Sequence, residues 1–343
     1  MPLDELKLNY KYLLDRSIMI FGESKSGKST IIRQCMYLLK PHIDQVIVIS
    51  SSDTTSKSYG GVTVPKPCVH KTITDKLLND VWQRQQALTD AYNRANDINV
   101  LKSMFNEIST PANKAMIERL RNHHEKSIQD MRENYTGDDM DTKLEDMAKD
   151  ATELTIKIYK HFIGQSLDYF ANKKNLSKVE RTTLQYLNLN PRLLWIFDDC
   201  TVQLEKFRKN PIICELFWQG RWLNITAIIA THTDKSFSPE LKSGAFLKIF
   251  AQESIARAYY TRDSTAMDKS RKNKVMELID ETFTPIKKHQ KLVYERETMR
   301  YFKYTASIVP DFRFGSPIIW QFCDLIASER DDIQGNKFMS KFE

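Results

Sequence analysis

Long apolar runs are missing from this sequence: no stretch of its 343 residues approaches the roughly 20 apolar residues needed to cross a bilayer. The opening segment MPLDELKLNYKYLLDR carries acids too early for a secretory leader. Cysteine is scarce as well. Cys35, Cys68, Cys200, Cys214 and Cys323 are odd in number, scattered and without a C-x-x-C pair, a pattern that indicates neither a zinc site nor a disulfide framework. No repeat at a fixed period is visible. These absences leave a soluble, intracellular chain with reduced cysteines. Its 41% hydrophobic content suits one large α/β domain or a core domain with an insertion, and its net charge of +7 favours polyanions over acidic partners.

What is present begins at residues 22–29, GESKSGKS, held between the apolar run SIMIF and the helix-like TIIRQCMYLLK. The eight positions match G-x-x-x-x-G-K-[ST], the phosphate-binding loop of nucleoside triphosphate proteins. Gly22 and Gly27 permit backbone angles that turn successive N–H groups toward one point. Glu23, Ser24, Lys25 and Ser26 complete the loop, and Thr30 joins it in the first helical turn. Lys28 reaches β- and γ-phosphate, Ser29 offers its hydroxyl to Mg²⁺, and the helix adds its positive N-terminal dipole. The strand–loop–helix context argues against an ordinary polar turn.

Far downstream, RLLWIFDDC puts five apolar residues, Leu193 to Phe197, directly before Asp198 and Asp199. A continuous apolar run ending in acids is expected of a central parallel strand whose carboxyl end opens on a ligand crevice, the form of a Walker B strand. Asp198 then holds Mg²⁺, and Asp199 takes the proton from the attacking water. NITAIIATHT reads as a neighbouring strand ending at a γ-phosphate sensor, Thr231 or His232. The segment from about Val202 to Arg221 reads as one helix bent at Pro211. FLKIFAQ reads as the next strand, and QVIVISSS as the strand after the first helix. The expected class is α/β: a mostly parallel, doubly wound sheet of the P-loop NTPase type.

Residues 72–187 are almost free of glycine and proline and dense in charged and amide side chains, which predicts a helical insertion between the second strand and the Walker B strand. Within it, Leu77, Leu78, Val81, Trp82, Leu88, Ala91 and Tyr92 fall on one apolar stripe. His123 and His124 are adjacent, so they face different sides of a helix and carry no metal role. A turn at Gly137 predicts a solvated helical hairpin. QKLVYERETMRYFKYTASI predicts an antiparallel β-hairpin, and PDFRFGSPIIWQFCDLI follows through a Gly-Ser-Pro turn. The cluster DKSRKNK, residues 268–274, together with Arg262, reads either as a nucleic-acid contact or as a solvated loop.

SIMIFGESKSGKST, PRLLWIFDDC, GRWLNITAIIATHT, FLKIFAQESIARAYY and FKYTASIVPDFRFGSPIIW together resemble the poxvirus-type genome-packaging ATPases of nucleocytoplasmic large DNA viruses, a branch of the FtsK–HerA superfamily. The resemblance covers roughly residues 10–55 and 190–322. It implies an ATPase core at 1–55 and 190–322, with the helical insertion at 72–187 and a C-terminal tail at 323–343 outside it. It further implies ATP and Mg²⁺ as cofactors, and a homo-oligomeric ring that pumps double-stranded DNA into the capsid without reading its sequence. Capsid or membrane proteins of the virion are further partners, and the location is the host cytoplasm, at the viral factory, or the virion. On the matching positions, Gly22, Gly27, Lys28 and Ser29 hold phosphate, Asp198 the metal and Asp199 the water.

The sequence departs from the family at three places. Thr231-His232 stands where the family has Ser/Thr-Gln, so His232 replaces an amide as γ-phosphate reader. Arg221-Trp222 stands where Arg-His is usual. Lys242 stands where an arginine is expected, and it cannot make a bidentate contact. Arg257 and Arg221 are the candidates for an arginine finger supplied to a neighbouring subunit. Two other classes compete: a GTPase, against which the absence of D-x-x-G after Asp198 counts, and a nucleotide-binding switch whose insert docks a partner. A small-molecule kinase is a weaker variant, because no arginine-rich lid follows the Walker B strand.

Overall fold

The computed structural model describes residues 3–137, 140–234, 237–262, 268–284 and 289–339. The chain divides into two compact units, Met1–Gln86 with Asn190–Glu343 and Ala87–Leu189. In chain order the elements are β1 Ser17–Phe21, α1 Lys28–Leu39, β2 Gln45–Ser50, α2 Asp53–Ser56, β3 Val69–His70, α3 Asp75–Ala95, α4 Ile98–Ile108, α5 Pro111–Asn134, α6 Met140–Gln165, α7 Leu167–Asn172 and α8 Lys178–Gln185. There follow β4 Leu193–Asp198, α9 Thr201–Lys206, α10 Pro211–Trp218, β5 Ile225–Thr231, α11 Pro239–Gly244, β6 Leu247–Phe250, α12 Glu253–Thr261, α13 Lys269–Thr282, β7 Gln290–Glu295, β8 Arg300–Thr305 and α14 Pro317–Met339.

Among the described residues the first unit holds one eight-stranded sheet in the order β3-β2-β4-β5-β1-β6-β7-β8. Every pairing from β3 to β6 is parallel, and β7 and β8 add an antiparallel hairpin at the edge. The expected α/β architecture, a mostly parallel doubly wound sheet with a C-terminal hairpin, is what the chain adopts. Strands buried on both faces need apolar side chains at every position, which explains the unbroken SIMIF, LLWIF and ITAII runs. Alternation then sends Met19, Phe21, Trp195 and Phe197 to one face, against α3, α10 and α12. Ile18, Ile20, Leu194 and Ile196 go to the other, against α1 and the segment around Phe312 and Phe314.

The single bent helix expected over 202–221 is instead α9, α10 and a 3₁₀ turn at Gly220–Leu223. Asn210 caps α10 by accepting from the Ile212 N–H, and Pro211 takes the first helical position, where its missing N–H costs nothing. On α3 the apolar stripe is fully buried at Leu78, Val81 and Trp82, and the buried line continues through the polar Gln85 and Thr89. Gln85 is tolerated there because its amide donates to the carbonyls of Pro191 and Leu223. DKSRKNK opens α13, with Asp268 capping it. The tail expected from 323 begins within α14, and residues 340–343 lie outside the described residues.

The second unit has its own small core. Leu101, Met104 and Phe105 of α4 meet Tyr159 and Ile163 of α6, with Phe170 and Leu187. Phe105 sits 4.9 Å from the Tyr159 ring and 5.5 Å from that of Phe162. With so few buried side chains, Phe105→Ala is expected to remove about 3–5 kcal/mol. All five tryptophans, Trp82, Trp195, Trp218, Trp222 and Trp320, belong to the first unit. In urea, the helical circular-dichroism signal of this variant should therefore fall before the tryptophan fluorescence shifts. Coincident transitions at the parental midpoint would refute the packing role.

Candidate functional site

The carboxyl ends of β1, β4 and β5 meet at one crevice, because those strands run parallel and in register, with Phe21 beside Thr231 and Asp198 beside Ala230. The loop that follows β1 is tied down on both sides. Its Gly22 N–H donates to the Thr231 carbonyl at 3.1 Å, and its Glu23 N–H donates to Gln252 Oε1 at 2.8 Å. A Cβ on Gly22 would stand 2.3 Å from Ser26 Oγ and 2.8 Å from Ala251 Cβ, so only glycine fits. Lys25 and Gly27 take left-handed angles, φ 64° and 94°, which coil the chain into a backbone nest. No side chain caps α1, leaving the N–H groups of its first turn open above Gly27. Ser24 and Ser29 are exposed at this rim, with Thr30 half-buried beside them.

Lys28 is 6% exposed and lies under the loop, its ammonium donating to the carbonyls of Gly22 at 2.7 Å and Glu23 at 3.0 Å. Burial pushes it below the usual lysine range, against the pull of Asp199, Asp198 and Glu23. Its third neighbour is His232 Nδ1 at 3.4 Å, while His232 Nε2 lies 3.2 Å from Asp199 Oδ1. With the ammonium donating into Nδ1, the imidazole proton resides on Nε2 and points at the carboxylate. Lys28, His232 and Asp199 thus form one continuous line across three elements. Asp199 is further held by the Ser52 hydroxyl at Oδ2 (3.0 Å) and the Ser51 hydroxyl at its carbonyl (2.6 Å), with φ 52°. Of the two sensor candidates, His232 is drawn into this line, whereas the Thr231 hydroxyl donates to the Thr233 carbonyl.

Asp198 is the deeper acid, 5% exposed, and accepts from the Tyr59 hydroxyl at 2.8 Å. Burial pushes its carboxyl up to about 6, an effect that the Tyr59 hydrogen bond opposes. The buried Asp198 carboxylate and the exposed Ser29 hydroxyl are each hard oxygen donors of the kind a divalent cation takes, and a nest closed over a buried ammonium is suited to phosphate oxygens.

Two residues here carry no sequence signal. Tyr59 comes from the irregular stretch after α2, where Asp53 Oδ1 accepts its backbone N–H. Lys291 comes from β7 and donates to the Ser26 carbonyl at 2.7 Å and the Ala251 carbonyl at 3.2 Å, buttressing the loop from below. An inward lysine in an alternating strand, 265 positions from its partner, matches no motif.

The arginine candidates separate. Arg257 lies on α12, at the phosphate-loop end of the sheet, and pairs with Glu253 and Asp280. Arg221 precedes β5 at the opposite end, some 20 Å of strand away, and stacks over Trp222. It cannot reach its own chain's loop. Lys242 pairs with Asp234 at 3.2 Å and is buried with it, while the half-buried Arg262 pairs with the same carboxylate from the side nearer solvent.

No protein-family model matches the chain. It is 28% identical over 355 residues to protein B354L of African swine fever virus (isolate Pig/Kenya/KEN-50/1950), spanning 98% of this chain and 96% of the relative. Genome-packaging NTPases, the kind of protein the sequence resembles, recur among similar solved structures. The packaging NTPase B204 from Sulfolobus turreted icosahedral virus 2, in complex with ATP-gammaS, is 13% identical at TM-score 0.41, with 86% of this chain and 99% of that one covered. The plasmid coupling protein TrwB, in complex with ADP and Mg²⁺, is 11% identical at TM-score 0.37, with 88% and 89% covered.

Asp198 yields a prediction on stability. A folded-state value near 6, above the ordinary 3.8, means that the fold takes up a proton; this contribution is complete below about pH 4 and is lost as pH rises through 6. Asp198→Asn removes the buried charge, so without metal and nucleotide the variant should be more stable than the parent at pH 8, on the order of 3 kcal/mol. The gain should vanish by pH 4. Thermal melts at both pH values measure it, and a less stable variant at pH 8 would show that Asp198 is not penalised by burial.

Proposed function

We propose that this protein is an Mg²⁺-dependent ATPase that translocates double-stranded DNA and packages a viral genome. The observation that carries the ATPase reading is the Lys28–His232–Asp199 line beneath a backbone nest that leaves no room for a Cβ at Gly22. In this reading the amides of Ser24, Lys25 and Gly27 to Thr30 bind phosphate oxygens, while the Glu23 N–H stays on Gln252, and Lys28 gives up its carbonyl partners for the β- and γ-oxygens. Ser29 and Asp198 hold Mg²⁺, which supplies charge neutralisation across the β- and γ-phosphates. Asp199 takes the proton of the attacking water, oriented by Ser52 and by the Nε2–H of His232. Because His232 touches both Lys28 and Asp199, a γ-phosphate that draws Lys28 away alters the base through the same imidazole.

The translocase reading rests on the sequence resemblance, on kinship with a protein of a nucleocytoplasmic large DNA virus and on the basic net charge of +7. It carries a homo-oligomeric ring, an arginine finger supplied in trans by Arg257 or Arg221, and work at the viral factory or in the virion with capsid or membrane proteins. No described helix is long and apolar enough to cross a membrane.

Lys28→Ala should lose tight ATP binding, whereas Asp199→Asn should bind ATP and lose turnover by 10²-fold or more. Parental turnover in Asp199→Asn would remove that residue as the base. Turnover of the parent should rise with long double-stranded DNA, prefer ATP to GTP and increase with protein concentration. DNA binding should weaken steeply with salt. Turnover indifferent to DNA would favour a nucleotide switch, and a preference for GTP would favour a GTPase.

A further inference from the structure

A cavity of about 290 Å³ opens beside the first turn of α1, between that helix, the stretch after α2 and the strap of residues 306–314 that follows β8. The buried Met36, Tyr59 and Thr63 line it with Ser29 and Thr30 of the first turn of α1, and the exposed Val62 and Ile308 complete the lining. Those two apolar side chains are 52% and 93% exposed. Ile308 does not lie on a loose tip. The strap is fixed to α1 where Gln34 Oε1 accepts from the Tyr304 hydroxyl (2.6 Å) and the Ser307 N–H (2.8 Å), and again by the Arg33–Asp311 ion pair. Its far end is fixed where the Phe314 N–H donates to the Thr63 carbonyl at 2.8 Å. A tethered backbone thus holds an isoleucine out in water over a concave site, an arrangement that costs free energy until something apolar covers it.

The charges around the cavity narrow the occupant. Arg33 and Lys57 line it, and no acidic side chain does so among the described residues. It adjoins the open N–H groups of α1, where phosphates are favoured. A flat apolar body joined to a polyanion fits both halves.

We propose that this cavity is the nucleoside subsite: the purine base of the nucleotide packs against Ile308 and Val62 while its phosphates lie in the loop. The assignment rests on the ATPase reading and names how that site holds its substrate. Without a lining carboxylate there is no charged acceptor for the adjacent N–H donors of guanine, and the base is held chiefly by contact area.

Ile308→Ser tests it, because a side chain 93% exposed contributes no packing whose loss would unfold the chain. Binding of ATP and of inorganic triphosphate is measured calorimetrically for the parent, Ile308→Ser, Val62→Ser and Lys28→Ala. The expected result is a roughly tenfold weaker ATP affinity in Ile308→Ser, with a smaller loss in Val62→Ser, unchanged triphosphate binding, and loss of both ligands in Lys28→Ala. Parental ATP affinity in both cavity variants overturns the subsite and leaves the ATPase reading standing. Equal weakening of ATP and triphosphate also overturns it, since Ile308 would then act through the phosphate loop. A parent that binds neither ligand sinks both readings.

Discussion

One buried ammonium governs the architecture of this crevice. Lys28 is nearly dry, and its charge is tolerable only because two backbone carbonyls turn inward to meet it. They turn inward because the loop coils through left-handed angles at Lys25 and Gly27, and that coil closes only if residue 22 has no side chain. The closed coil is clamped in turn by Thr231 from β5, by Gln252 after β6 and by Lys291 from β7. Strand order thus serves the loop: β1 lies between β5 and β6, so that both neighbours end beside it.

That dependence explains what the sequence disclosed and what it hid. The fold was legible because strands buried on both faces write unbroken apolar runs, and because the hairpin writes alternation. The meeting of the glycine-containing loop after β1 with the Asp198–Asp199 pair at the end of β4 was legible because each sits within a few residues of its own strand end. His232 was legible in the same way, by its place at the end of β5. Tyr59 and Lys291 were hidden since they reach the site through tertiary packing, from an irregular stretch and from an edge hairpin. The α9–α10 break departs from the single bent helix because Asn210 caps a new helix and Pro211 occupies its first position rather than a bend inside a longer one. The polar Gln85 in a buried line was equally invisible, because its partners are carbonyls far along the chain.

Lys242 and Arg221 show how far likeness of sequence carries over to likeness of role. Each stands where the resemblance sets a basic or polar residue, yet the surroundings decide what it does. Lys242, shared with Arg262 around one carboxylate, is a buried structural charge whose removal would leave Asp234 with Arg262 as its remaining cation. Arg221 is exposed beside two exposed tryptophans, at the end of the sheet remote from the crevice. Any part it takes in hydrolysis belongs to a neighbouring subunit. Arg257, nearer the loop end but paired within its own chain, would have to exchange Glu253 and Asp280 for phosphate.

Tyr59 draws the separate parts together. Its ring lines the cavity beneath Ile308 and Val62, its hydroxyl holds Asp198, and its backbone is fixed by Asp53. Binding a cation at Asp198 competes with that hydrogen bond, because a carboxylate oxygen engaged by a hard metal has less to give a phenol. The acid is costly to keep ionised without a partner, so the tyrosine and the metal are alternative ways of meeting one need. A base entering the cavity then meets a side chain whose other end answers to the metal site. On the proposed reading, the nucleoside and metal ends of the substrate are linked through Tyr59, which lines the cavity and holds Asp198.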